Sequence, residues 1–133
     1  MAVIEGTSRL KSAVATYSFA RDGGATGAIV LSGVGAEGAV IPAGSVVTGG
    51  YLEVTTTCTS GGSATVAPHV EGAADILSAA SGAVANLTAG RKSVIPAGTG
   101  TTSVKTTVAR NITATIATAA LTAGAFRVVL FYV

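Results

Sequence analysis

The last nine residues, Ala125–Val133 (AFRVVLFYV), place the tightest constraint on what this chain can become. Successive side chains of a strand point to opposite faces. Phe126, Val128, Leu130 and Tyr132 then form one face, and Val129, Phe131 and Val133 the other. A strand apolar on both sides needs cover on both sides. Left in water, such a segment is a ready template for aggregation. The run is also far shorter than the roughly 20 apolar residues of a membrane-spanning helix. It is therefore expected to be a central strand or to lie in a subunit interface.

The rest of the chain is cut into short pieces by Gly and Pro. Val-Ile-Pro-Ala-Gly occurs at 40–44 and again at 94–98, and Leu-Thr-Ala-Gly at 87–90 and 121–124. Pro fixes φ and Gly lets the chain reverse, so each copy reads as a turn between strands. Ala13–Ala20 and Ala28–Leu31 read as a hairpin about Asp22-Gly23-Gly24. Ser45–Thr57 is a long strand, with Gly49-Gly50 marking a bulge or bend. Ala64–Val70 returns from it, and Pro68 makes it an edge because proline cannot donate to a ladder. Ser103–Ala109 and Asn111–Thr118 carry the cleanest period-2 alternation, and Arg110-Asn111 reads as a tight turn between them. Residues 73–80 are Ala-rich enough to predict one short helix. The expectation is an all-β fold of about eight antiparallel strands, a sandwich or barrel, with residues 1–12 as an N-terminal arm and 13–133 as a single domain.

Charge is scarce. Asp, Glu, Lys and Arg make up 11% of the residues, against about 25% in an ordinary soluble domain. A monomer uses charge to keep its copies apart, so a surface this rich in Ala, Gly, Val and Thr predicts cover by other subunits. The formal charge is +2, and only Arg91 and Lys92 among the cations are adjacent. Nucleic-acid binding needs a basic cluster with stacking aromatics, and Tyr17, Phe19, Tyr51, Phe126, Phe131 and Tyr132 do not interleave with the cations. Residues 1–14 hold no apolar signal core, which leads to the expectation of synthesis in a cytoplasm without classical export or membrane insertion.

Catalytic motifs fail on context. Gly33-Val34-Gly35-Ala36-Glu37-Gly38 matches the dinucleotide pattern, but that chemistry needs a helix N-terminus facing the pyrophosphate. Pro42 and Gly44 would break a helix there. Gly98–Thr102 has the glycines and hydroxyls of a phosphate loop without its lysine. His69 is the single histidine, and no Gly-x-Ser-x-Gly elbow accompanies it. His69 and Glu71 share a strand face and offer two metal ligands without a third. Glu71 with Asp75 suits a helix start better than an acid–base pair. Cys58 is the lone cysteine and reads as a small buried side chain. No catalytic, cofactor or metal residue is assigned, and the chain is not expected to be an enzyme.

With those residues in view, IPAG…VTGGYLEV and the tail RNITATIATAALTAG give a resemblance over residues 14–133. The chain resembles small phage virion proteins of the head-decoration, cement or structural type. The resemblance implies a compact jelly-roll-like sandwich, often trimeric, that covers joints between major capsid subunits on the outer surface of the assembled capsid and stabilises it. It implies partners in the major capsid protein and in further copies of the chain, and a place in the virion. Arg9, Lys11, Phe126, Val129, Phe131 and Val133 are the expected subunit or capsid interface. Other virion positions (head fibre base, neck, tail) and a carbohydrate-binding sandwich stay open, although sugar platforms favour Trp and this chain has none.

Overall fold

A computed structural model describes residues 10–33, 39–94 and 104–133. Arg9 and the rest of the arm up to it, the Gly33–Gly38 loop beyond Gly33, and the second Ile-Pro-Ala-Gly turn lie outside the described residues. The strands are β1 (Lys11–Ser18), β2 (Gly27–Val30), β3 (Ser32–Gly33), β4 (Val40–Ile41), β5 (Val46–Ser60), β6 (Thr65–His69), β7 (Gly90–Ser93), β8 (Val104–Lys105), β9 (Arg110–Asn111), β10 (Thr113–Ala117) and β11 (Leu121–Tyr132). The fold is all-β, as expected.

The large sheet runs β3-β1-β11-β5-β7, with β8 also on β5. The C-terminal strand β11 is central. It pairs antiparallel with β1 from Lys11↔Tyr132 to Ser18↔Ala125, and with β5 from Leu121↔Ser60 to Tyr132↔Val47. The second sheet runs β2-β10-β6, and β4 pairs with β9 beside it. Ile112 joins these two pieces. Its amide donates to the Ala39 carbonyl (2.9 Å) and its carbonyl accepts from Leu31 (3.0 Å). β9 and β10 are thus one line, and β2 and β4 form an interrupted strand along its side. β7 and β8 likewise share one side of β5. Counted as lines, the described strands agree with the eight expected. Along the chain, β1, β2, β5, β6, β7, β10 and β11 alternate between the large and the small sheet.

One core lies between the sheets. Ala13, Ala15 and Tyr17 of β1, Leu52 and Val54 of β5, and Phe126, Val128 and Leu130 of β11 meet Val66, Ala114 and Ile116 of the small sheet. Full burial of each Val, Leu, Ile or Phe side chain contributes roughly 1.5–3 kcal/mol. Tyr17 and Phe126 stack at 5.0 Å between ring centroids, and the Tyr17 hydroxyl donates to the Gly23 carbonyl at 2.5 Å. The bulge expected at Gly49-Gly50 is present as a register shift between Phe131↔Gly49 and Tyr132↔Val47. Gly50 sits at φ +154°, where a Cβ would collide with the Val129 carbonyl oxygen. β6 is an edge strand, and Pro68 costs that sheet no ladder bond on its open side.

Three local expectations are corrected. Residues 73–80 form turns and bends, not a helix. The Asp75 carboxylate accepts the amides of Val70 (2.8 Å), Glu71 (2.9 Å) and Gly72 (2.8 Å), and Ala74 is held at φ +55°. A carboxylate turned back onto three preceding amides offers the backbone an alternative to the helix. The helical turn lies instead at Phe19–Asp22, with a 3₁₀ turn at Val84–Asn86. That first turn also breaks the expected hairpin: it lifts the chain off β1, so β2 lands in the small sheet and, of the two, β3 alone pairs with β1. Arg110-Asn111 is a strand segment rather than a turn. The chain bends at Thr107-Val108, which leaves Val108 exposed and interrupts the alternation, and the buried positions resume at Ile112, Ala114 and Ile116.

Candidate interaction surfaces

Two outward faces carry the side chains that could meet a partner. The first is the outer face of the large sheet. Register places Val14, Val129, Tyr51 and Ser93 in one row across β1, β11, β5 and β7. The next row is Thr16, Arg127, Glu53 and Arg91. Phe131 lies beside the first row, opposite Ser12 and Gly49. Val129 is buried, at 6% exposure, yet it does not belong to the core cluster. Tyr51 and Phe131 are 6.4 Å apart with rings inclined at 55°.

The charged row is a shared ion pair. The Arg127 Nη2 donates to Glu53 Oε1 at 2.9 Å, and the Arg91 Nη2 contacts Glu53 Oε2 at 3.5 Å. Arg91 also stands over the Tyr51 ring, with its guanidinium carbon 4.8 Å from the centroid. One carboxylate thus serves two guanidiniums. The Arg127 Nε is shielded and has no hydrogen-bond partner among the described residues. At the end of the row, Arg21 donates to the Thr16 carbonyl (2.7 Å) and pairs with Asp22 (2.9 Å). The hydrogen bond from Arg21 holds the Asp22 carboxyl below its ordinary range.

The second face belongs to the small sheet. An open groove of about 470 Å³ is lined by His69, Glu71, Arg110, Asn111, Thr113 and Thr115 among others. His69 Nε2 and Thr115 Oγ1 are 3.1 Å apart. Glu71 accepts from Arg110 Nε (2.9 Å) and Nη2 (3.2 Å) and from the Thr107 hydroxyl (2.8 Å) and amide (3.1 Å). Those bonds pull its pKa from the ordinary 4.5 to about 2, the Arg110 bonds contributing most. His69 and Glu71 line the same groove, but each is spent on a protein partner. Among the described residues, no three His, Cys, Asp or Glu side chains gather as a metal site. Cys58 is buried, and burial pushes its thiol up to about 11. It packs beneath Gly124, where an added Cβ would lie 2.6 Å from the sulfur.

Of the residues expected at an interface, Val129 and Phe131 share the outer face of the large sheet. Val133 follows them in alternation, is 44% exposed and closes β11 by exchanging backbone bonds with Val46. Lys11 is exposed at the tip of β1, opposite Tyr132. Phe126 lies on the opposite face of β11, at 2% exposure in the core, and does not join them. Sequence reasoning did not single out Tyr51, Glu53, Arg91 and Arg127. Arg127 carried a signal: it is the only charge in Ala125–Val133 and falls in phase with Val129 and Phe131. Glu53 and Arg91 join it only through strand register.

No family model matches the sequence, and no curated protein matches it. Solved structures do. The chain is similar to a chain of the cyanophage Pam1 capsid asymmetric unit, with a TM-score of 0.63 at 23% identity over 99% of this chain and 90% of that one. It is similar to a chain of the Ralstonia phage GP4 capsid, with a TM-score of 0.64 at 14% identity over 100% and 90%. The acidic stable capsid of Helicobacter pylori bacteriophage KHP30 contains a third, with a TM-score of 0.58 at 16% identity over 94% and 87%. At these identities the likeness is one of fold, and it extends over nearly the whole of each chain.

Proposed function

We propose that this chain is a structural protein of a phage virion. In this reading it binds the outer surface of the assembled capsid as a cement or decoration protein, acts as a trimer, and has no enzymatic activity. The observation that carries the proposal is end-to-end similarity to chains of three phage capsids. Those chains are scarcely longer than this one, since it covers 87–90% of each. The passage of successive strands between two sheets is what a jelly roll produces. Low charge supports a life among other subunits.

The mechanism is mass action. A protein that binds the closed shell, and not its separated parts, stabilises the shell by about 2.7 kcal/mol per site when free protein stands at 100 times Kd. Many sites act on one particle, so a modest Kd suffices. The test is to purify particles with the gene for this chain deleted and compare their heat and osmotic resistance with wild type. The proposal expects weaker shells, restored by adding back the protein, and a trimer mass by light scattering. Equal resistance, or recovery of the protein in the tail fraction, overturns the cement role.

A further inference from the structure

The outer face of the large sheet has the composition of a binding centre: two aromatic rings, two valines and two arginines, one of them over an aromatic ring. Tyr, Phe and Arg are the residues enriched at interface cores and hot spots. Its electrostatics are one-sided. Glu53 divides itself between Arg127 and Arg91, so the central row holds one guanidinium more than it can neutralise. Arg91 is the loosely held one, at 3.5 Å and with 67% of its side chain exposed. Asp22, at the end of the row, is already occupied by Arg21. A second copy presenting the same cationic row would repel it.

We infer that this face docks onto an acidic protein surface of the shell, with a partner carboxylate accepting from Arg91 beside Tyr51. A bidentate carboxylate matches the planar donor fork of arginine, and the aromatic floor keeps the pair partly dry. The inference rests on the capsid-binding reading and supplies the chemistry of the partner.

The experiment is co-sedimentation of purified variants with shells from phage lacking the gene for this chain. Arg91→Glu is expected to weaken binding by about tenfold or more, because it places like charges together. Tyr51→Ala should also weaken it. Val30→Glu, on the exposed outer side of the small sheet, should leave binding unchanged. Raising salt should weaken the wild type toward Arg91→Glu. Thermal melts check that each variant is folded. If the wild type fails to sediment with shells, the capsid-binding reading itself falls. If the wild type binds and Arg91→Glu binds equally, this docking face is wrong. Loss of binding by Val30→Glu alone would move the interface to the small sheet. A change of oligomer mass in Arg91→Glu without loss of shell binding would make the face a contact between copies. Either result overturns the inference.

Discussion

Thr106 shows how a single hydroxyl fixes a turn. It is 1% exposed, on the segment after β8. Its Oγ1 donates to the Pro42 carbonyl (2.6 Å) and accepts the Ser45 amide (3.0 Å). Its own amide donates to the Ser45 carbonyl, and its carbonyl accepts from Gly44. The first Ile-Pro-Ala-Gly turn is therefore tied to a residue more than 60 positions away. Thr106→Val keeps the shape and removes the hydroxyl, leaving the Ser45 amide buried without an acceptor. The expected loss is about 1–3 kcal/mol, read as a lower urea midpoint, and Thr106→Ser should recover most of it. Glu71 gives a second test at this scale. Its folded pKa, about 2, lies below the ordinary 4.5. A depressed carboxyl stabilises the fold above its unfolded value, and that contribution fades as pH falls from 4.5 through 2. Melting temperature should therefore fall more steeply over that window in wild type than in Glu71→Gln. Parallel curves would mean that the Arg110–Glu71 pair contributes nothing to the fold. The pair is exposed enough for salt to weaken the effect.

At the scale of elements, what could be read from the chain depended on range. The central place of β11 was legible because Ala125–Val133, apolar on both sides, states a requirement for cover. The buried faces of β10 and the central part of β5 were legible from alternation alone. Pro68 marked an edge for a reason confined to one residue. The pairings were less legible, since the partner of a strand is decided by residues far away. β1 and β2 read as a hairpin, but a helical turn at Phe19–Asp22 sends them to different sheets. Residues 73–80 have helix propensity, and Asp75 overrides it by holding three amides in a loop. Propensity there is a few tenths of a kcal/mol per residue, less than a set of charge-assisted bonds. The outer face of the large sheet lay between these extremes. Val129 and Phe131 were visible as the second apolar face of β11. The Arg127–Glu53–Arg91 row needed the register of three strands before it became a surface.

For the whole molecule, the order of strands sets when the chain can fold. Of the described strands β11 comes last in sequence, and it sits in the middle of the large sheet, between β1 and β5. It supplies Phe126, Val128, Leu130 and Tyr132 to the core. Until it is available, β1 loses its long partner and β5 keeps only the short β7 and β8. Non-local pairing of this kind makes folding slow, in the millisecond-to-second range for β-sandwiches, and leaves strand edges open meanwhile. A chain ending at residue 120 should therefore be unfolded or aggregated, with no cooperative melt. Ribosome-stalled chains give the sharper measurement. They should stay protease-sensitive until a linker carries residue 133 clear of the exit tunnel, and then become resistant in one step. Resistance appearing while β11 is still inside the tunnel would show that the remaining strands form a core of their own, and that the central position of β11 completes the fold without deciding it.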